Sequence, residues 1–160
     1  MMVESIDACA LRIPFRSAFR HASAHRAVTQ TIWVVARTRD GRVGSGEGCP
    51  REYVSGESVA TALTFVAAHD REWRASIHDL ATLSAWVEGH RADIDRHPAA
   101  WAAVELALLD LIGQSAGCTL ESSLELPEIH GNRPCAGARI AHAAAGLTLT
   151  GAGGREPAPG

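Results

Sequence analysis

The sequence predicts an α+β fold in which a three-stranded antiparallel sheet is followed by a bundle of three to four helices. Three observations support this class. Residues 31–39 are β-branched and aromatic, and an Asp-Gly pair typical of tight hairpins follows them. Residues 98–115 carry an unbroken apolar stripe at helical spacing. The 160 residues suffice for one domain with a sizeable core.

The first third of the chain predicts the sheet. One strand covers residues 6–13 and ends at Pro14, which has no amide proton to donate to a ladder. The other two strands, 31–39 and 42–47, are joined by a tight turn at 40–41. The residues between Pro14 and the second strand predict a loop.

The third strand has glycine at alternate positions, Gly44 and Gly46. Glycine weakens a strand, so this pattern indicates that another backbone approaches closely there. The middle strand is apolar on both faces, with Ile32 and Val34 on one and Val35 on the other. We therefore expect both faces of that strand to be covered.

The middle of the chain predicts the helices. Ser55 is the expected N-cap of the first helix, Asp79 of the second, and Thr119 of a short fourth that ends near residue 124. The third helix starts with Pro98 at its first position and ends at Gly117.

Beyond residue 130 the composition changes. Residues 131–160 contain no aromatic side chain, and glycine, alanine and proline dominate them. We therefore expect one folded domain over 1–130 and a low-complexity, disordered tail over 131–160.

Composition excludes several classes of function. All 15 cationic residues are arginine, which rules out a Schiff base, a Walker phosphate loop and a lysine base. A net charge of −3 argues against nucleic acid as a partner. The four cysteines form no C-x-x-C pair, which argues against a zinc ribbon. With no leader-like start and no apolar run of membrane-spanning length, we expect a cytoplasmic protein with reduced thiols and no membrane contact.

Isolated pairs of polar residues do not build a site. His21 and His25 have the spacing of two ligands on a helix face, but they fall in the predicted loop without a third ligand in register. Glu105 and Asp110 share one helix and point about 140° apart, so they cannot share a site. Glu105 lies on the apolar stripe, and we expect an arginine or a backbone N–H to bind its carboxylate.

Three strings on this scaffold resemble a known family. They are Leu-Arg-Ile-Pro-Phe at 11–15 leading into 18–22, Gly-Ser-Gly-Glu-Gly at 44–48 before 49–53, and the helical string at 103–113. Over residues 3–130 the chain resembles the N-terminal capping domain of the enolase superfamily, in the mandelate racemase and muconate-lactonizing branch. Within that branch it is most similar to dipeptide epimerase-like proteins.

The resemblance implies a division of labour. In the family, the capping domain closes over a (β/α)₈-type barrel that supplies three acidic Mg²⁺ ligands and lysine or histidine bases. A base removes the proton α to a carboxylate, and the metal stabilises the enediolate. A barrel takes roughly 200 residues, whereas 30 residues without lysine follow His130. We therefore predict that the barrel is absent and that this chain holds no catalytic residue and no metal; Mg²⁺ belongs to the complete family enzyme.

The resemblance also assigns two loops that close on the substrate. An arginine on such a loop suits a dipeptide carboxylate, because its planar fork binds two oxygens. A solvated basic loop without any ligand is the alternative. By resemblance, the substrate-binding residues are Phe19, Arg20, His21 and Arg26 on the first loop and Glu52 and Tyr53 on the second.

The sequence departs from the family pattern at three places. Gln114 stands where a lysine commonly follows the helix glycine, and Glu125 replaces the glycine of a Leu-Leu-Gly turn. The chain after His130 also lacks the apolar character of a first barrel strand. The hypothesis is a truncated or frame-shifted relative with an unrelated tail.

The predicted function is therefore that of a truncated capping domain that determines substrate specificity and is silent alone. One alternative is the specificity subunit of a split Mg-dependent epimerase or racemase, whose barrel is a separate polypeptide. The other is a non-enzymatic interaction module that self-associates or binds a partner through an apolar face.

Overall fold

Strands precede helices in the computed structural model, which describes residues 1–21 and 24–119, without the side chains of 17–21 and 24–26. The predicted α+β class is confirmed. The described elements, in chain order, are β1 (Val3–Leu11), β2 (Pro14–His21), β3 (Ala24–Val28), β4 (Thr31–Thr38), β5 (Val43–Gly48), α1 (Glu52–Ser55), α2 (Val59–Ser76), α3 (Leu80–Gly89), α4 (Arg91–Arg96) and α5 (Pro98–Ala116).

The predicted three-stranded antiparallel sheet consists of β1, β4 and β5, with β4 in the middle. The β-branched residues of β4 suit its central position: Val34, on the core face, is 0% exposed and Val35, on the other face, is 5% exposed. The turn between β4 and β5 contains Gly41 at φ 88°, which a residue with a Cβ rarely adopts. The expected hairpin is confirmed. The second face of β4 is covered only in part, because Val35 is buried whereas Trp33 and Arg37 on the same face are partly exposed.

The predicted loop after Pro14 is wrong, because β2 and β3 form a second, two-stranded antiparallel sheet. Phe19 lies opposite Arg26 in its register. The segment lacks the apolar alternation that marks a half-buried strand, so pattern alone does not reveal strands held by pairing with each other. Proline at the first position of a strand is tolerated there.

The predicted N-cap of the first long helix is also wrong. Ser58 caps α2, and its hydroxyl oxygen accepts the Thr61 N–H at 3.1 Å. Ser55 instead ends α1, and Gly56 follows in the left-handed conformation at φ 75°. Both serines precede the apolar helical pattern, and only the backbone reversal at Gly56 distinguishes them.

The other predicted helix ends are confirmed. Asp79 caps α3, since its carboxylate accepts the Thr82 N–H at 2.8 Å. Pro98 occupies the first turn of α5, and Gly117 ends that helix at φ 67°. The predicted helix from Thr119 to about residue 124 lies outside the described residues.

α5 packs directly on the sheet through the alternate glycines of β5. A Cβ at Gly46 would stand 2.0 Å from the Ala103 carbonyl oxygen, and one at Gly44 would stand 2.2 Å from that of Ala107. Two strand residues advance about 6.7 Å and four helix residues about 6 Å, so the two spacings nearly match. The predicted close approach of another backbone is confirmed.

The core lies between this sheet and the helices. It contains Ile32 and Val34 of β4, Leu108 and Leu111 of α5, and Trp73 of α2, each fully buried. Trp86 and Trp101 stack on one another, with ring centroids 4.6 Å apart, which joins α3 to α5.

α5 is also the one described helix long and apolar enough to cross a membrane by length and composition. This corrects the expectation that no apolar run reaches that length. Half of the stretch is buried in the fold, where it contacts β4 and β5, as in the core helix of a globular domain.

The chain divides into two units, Met1–Glu128 and Ile129–Gly160. All described residues belong to the first. The predicted tail over 131–160 lies outside the described residues, so the domain boundary at 130 stays a prediction.

Candidate functional site

Both predicted capping loops leave the same end of the three-stranded sheet. β1 ends where the β2–β3 hairpin begins, and β5 ends opposite the start of β4. At this end the Thr29 N–H donates to the Ile13 carbonyl at 2.8 Å and closes the base of the hairpin. The Arg51 guanidinium donates to the Gln30 carbonyl at 3.2 Å, which joins the second loop to that base.

Thr31 fixes the point where β5 leaves the sheet. Its hydroxyl is fully buried and donates to the Gly48 carbonyl at 2.6 Å. The Cys49 thiol lies 3.6 Å from the same hydroxyl oxygen. The exit of the second loop is therefore held by a buried side chain of the middle strand.

Glu52 and Tyr53, the predicted substrate residues of the second loop, lie together on α1 at the rim of a cavity of about 360 Å³. Gln30, Pro50 and Glu57 are also in its lining. Tyr53 is 61% exposed. The structure thus brings two of the six predicted residues to one concave surface beside the hairpin base.

The first-loop residues Phe19, Arg20, His21 and Arg26 lie on β2 and β3, and their side chains are outside the described part of the structure. Their backbone places Phe19 opposite Arg26 and Arg20 opposite His25. His21 and His25 are therefore on paired strands, and the helix-face spacing considered for them does not apply.

Glu57 is a residue of this end that sequence reasoning misassigned. With Ser55 as the predicted N-cap, Glu57 would lie in the first turn of the helix. In the structure it precedes α2, its side chain is fully buried, and its carboxylate accepts the N–H of Ala99 at 2.8 Å and of Ala100 at 3.0 Å. The available signal was the start of α5, where His97 and Pro98 provide no side-chain cap.

Glu105 is hydrogen-bonded, as predicted, but the partner type was wrong. The Trp101 side chain, rather than an arginine or a backbone N–H, donates to it. Burial raises the pKa of the Glu105 carboxyl, and the Trp101 hydrogen bond opposes that rise. The carboxylate therefore faces a neighbouring ring on its own helix.

Asp110 binds the edge of the sheet. Its carboxylate accepts the backbone N–H of Ser45 at 3.3 Å and the Gln114 amide at 2.9 Å. Gln114, at the position where the family commonly has lysine, also donates to the Val43 carbonyl at 2.8 Å. These two side chains satisfy the exposed edge of β5, so both act structurally.

The described residues, 1–21 and 24–119, contain no group of three histidine, cysteine, aspartate or glutamate side chains that could hold a metal ion. They do not fit Mg²⁺, which needs carboxylate oxygens converging on one point. No catalytic step through a metal is therefore derived for this part of the chain.

Comparison with known proteins connects this arrangement to a family. No family model matches the chain. The L-Lys-D/L-Arg epimerase of Methylococcus capsulatus is 33% identical over 107 residues, which are 67% of this chain and 29% of that protein. The chain thus spans about a third of the length of this curated relative.

Solved structures agree with that match. A dipeptide epimerase from Methylococcus capsulatus, complexed with Mg and the dipeptide L-Arg-D-Lys, has a TM-score of 0.63 and 28% identity over 76% of this chain and 34% of its own. A muconate lactonizing enzyme from Mycobacterium smegmatis has a TM-score of 0.60 and 26% identity over 72% of this chain and 31% of its own. The chain therefore belongs to the enolase superfamily, as an N-terminal capping domain of the mandelate racemase and muconate-lactonizing branch with dipeptide epimerases among its relatives.

Proposed function

We propose that this domain selects the substrate of a dipeptide epimerase-like isomerase by closing two loops over the active site of a barrel. The observation that carries the proposal is the match to the Methylococcus capsulatus structure, which holds Mg and a dipeptide. The common origin of both loops at one end of the sheet supports it, because such loops can close on one substrate together.

The residue chemistry of the loops suits a zwitterionic substrate. Arg20 and Arg26 offer planar guanidinium groups to a carboxylate. Glu52, at the cavity rim, offers a carboxylate to an amino group or a cationic side chain. Tyr53 presents a ring that can pack against a side chain of the substrate. The proposed substrate class is therefore a dipeptide or a related acylated amino acid.

The reacting groups would come from the barrel. Mg²⁺ bound there would stabilise the negative charge that develops on the substrate carboxylate when its α-proton is removed. The part played by this domain would be to bind, orient and enclose the substrate. We propose that the domain alone is inactive and that it works in the cytoplasm.

A split enzyme is a second candidate, favoured by the apolar side chains exposed at the loop end. Val54 is 74% exposed and Ile13 53%. Such a surface suits docking of a separate barrel polypeptide. The same surface could serve a non-enzymatic interaction module, and activity with a barrel separates the two.

The test is α-proton exchange in D₂O, followed by ¹H NMR, on a set of dipeptides with Mg²⁺. The chain alone should exchange no α-proton. Mixed with the barrel part of the Methylococcus capsulatus relative, it should restore exchange, and Arg20→Ala and Tyr53→Ala should reduce it. Exchange by the chain alone would refute the proposed division of labour, and a well-folded mixture without activity would favour the interaction module.

A further inference from the structure

Both ends of the second capping loop are attached to the same turn of α5. We call residues 49–56 the α1 loop. At its start, Gly48 packs so closely on α5 that a Cβ would stand 2.0 Å from the Ala99 carbonyl oxygen. At its end, the Glu57 carboxylate accepts the N–H groups of Ala99 and Ala100. The two ends of the loop are therefore attached to α5 at adjacent positions, Ala99 and Ala100.

Glu57 supplies a cap that α5 lacks. The first four N–H groups of a helix have no partner within it. In α5, the N-cap residue His97 donates its N–H to the Asp93 and Ile94 carbonyls, Pro98 has no N–H, and Glu57 accepts the N–H groups of Ala99 and Ala100 that remain. A buried carboxylate is stabilised at this place because the N-terminal end of a helix carries partial positive charge. The attachment is consequently specific to a charged acceptor with two oxygens.

Within the loop Pro50 is buried, and the residues after it are more exposed. α1 contains no buried residue, and Gly56, just before Glu57, adopts the left-handed conformation with no atom within 4 Å of where its Cβ would be. Arg51 donates to the Gln30 carbonyl near the start of the loop. Pro50 and Arg51 thus hold the chain before α1, and Glu57 holds it after α1.

We propose that Glu57 is a positioning residue, which fixes Glu52 and Tyr53 at the rim of the cavity by holding the end of the α1 loop on the first turn of α5. This inference rests on the proposed function, because it takes those two side chains to meet the substrate. The inference adds that α5, whose other residues form the core, determines the position of Glu52 and Tyr53.

The chain provides a specific probe, because Tyr53 is its single tyrosine. Incorporation of 3-fluorotyrosine gives one ¹⁹F resonance that reports on the α1 loop. Glu57→Gln keeps the shape of the side chain but leaves one acceptor oxygen and places an NH₂ group against a backbone N–H. We expect this variant to shift or broaden the resonance and to accelerate amide exchange of Ala99 and Ala100 about ten-fold or more.

The matched control is Asp79→Ala, which removes the cap of a different helix, α3. At equal loss of unfolding free energy it should leave the ¹⁹F resonance unchanged. An unchanged resonance in Glu57→Gln, or an equal change in both variants, would overturn the proposal. If Glu57→Gln does not fold, the wild-type protein decides: Ala99 and Ala100 amides that exchange as fast as unstructured ones would overturn it, and protected ones would support it.

Failure of this inference differs from failure of the proposed function. If the α1 loop does not meet the substrate, Tyr53→Ala leaves exchange by the barrel mixture unchanged, whatever Glu57→Gln does to the ¹⁹F resonance. If the proposed function holds and Glu57 does not position the loop, Tyr53→Ala reduces exchange while the resonance of Glu57→Gln stays at its wild-type position.

Discussion

At the residue scale, the alternate glycines of β5 show how a sequence pattern can specify a contact between two elements. A missing side chain is costly in a strand unless something occupies its place. Here that something is the backbone of α5, which passes within van der Waals distance of Gly44, Gly46 and Gly48. The sequence alone predicts this contact, because alternate glycines in a strand indicate that another backbone packs against it. The pattern does not show that the backbone belongs to α5.

Gly46→Ala should destabilise the domain. The new Cβ would stand 2.0 Å from the Ala103 carbonyl oxygen, a backbone atom that cannot move without shifting α5. We expect a loss of about 1–3 kcal/mol or more in the free energy of unfolding, measured by urea denaturation. Gly89→Ala is the matched control, because no atom lies within 4 Å of its Cβ position. Equal urea midpoints for the two variants would contradict the packing described.

Glu105→Gln should change stability in a pH-dependent way. Burial raises the pKa of this carboxyl above its ordinary value of 4.5, so the folded state prefers the protonated form. The protonated Glu105 carboxyl therefore stabilises the folded state at low pH, and this stabilisation is lost as pH rises through the raised pKa. Glutamine cannot ionise, so the variant should match the wild type near pH 4 and be more stable at pH 7.

The control is Glu88→Gln, whose stability relative to the wild type should change with pH in the opposite direction. Arg91 lowers the pKa of the exposed Glu88 carboxyl, chiefly through a side-chain hydrogen bond. The ionised Glu88 carboxylate therefore stabilises the folded state at pH values above its ordinary pKa, and this stabilisation is lost as pH falls through the lowered pKa. Glu88→Gln should therefore be less stable than the wild type at pH 7 and equal to it in acid. If the difference in denaturation midpoint from the wild type changes with pH in the same direction for Glu88→Gln and Glu105→Gln, one of the two assignments is contradicted.

At the element scale, the position of a cap depends on backbone direction, which composition does not give. Ser55 and Ser58 both precede the apolar pattern of α2. Only the reversal at Gly56 ends α1 and leaves Ser58 to start the longer helix. In the same way the β2–β3 hairpin escaped prediction, because its strands are held by each other and carry no apolar alternation.

Ser58→Ala should lower the free energy of unfolding by about 1 kcal/mol, because it leaves the Thr61 N–H without its acceptor. Ser55→Ala is the control, since the Ser55 hydroxyl makes only long contacts of 3.4 Å, to the Arg51 carbonyl and the Glu57 N–H. Thermal or urea denaturation of the two variants measures the difference. A larger loss for Ser55→Ala would show that the helix starts where the sequence alone suggests.

At the scale of the whole molecule, the order of strands and helices and the packing of α5 on the sheet follow from local patterns. The arrangement of the loop end does not. Glu57 acts on a helix that starts more than forty residues later in the chain, and no spacing rule connects the two. The residues that would meet a substrate could be assigned only by resemblance, because nothing in their own pattern distinguishes them from a solvated loop.

The same end of the molecule leads to a prediction about assembly. Val54 and Tyr53 of α1 are 74% and 61% exposed, and Tyr53 lines one cavity together with Gln30 of the hairpin base. If the proposed function is right, a barrel docks here and removes this apolar area from water. Val54→Asp would place a charge in that contact, and we expect it to weaken binding about ten-fold or more, since a charge buried without a partner is strongly unfavourable.

Binding of the isolated barrel part of the Methylococcus capsulatus relative can be measured by titration calorimetry. Val43→Asp is the control, because Val43 is also an exposed apolar residue but begins β5, at the opposite end of the sheet from the loops. It should leave the affinity at the wild-type value. Equal affinities for the wild type and Val54→Asp would show that the loop end is not the docking surface. Equal losses for both aspartate variants would show that added negative charge, rather than the position of Val54, weakens the complex.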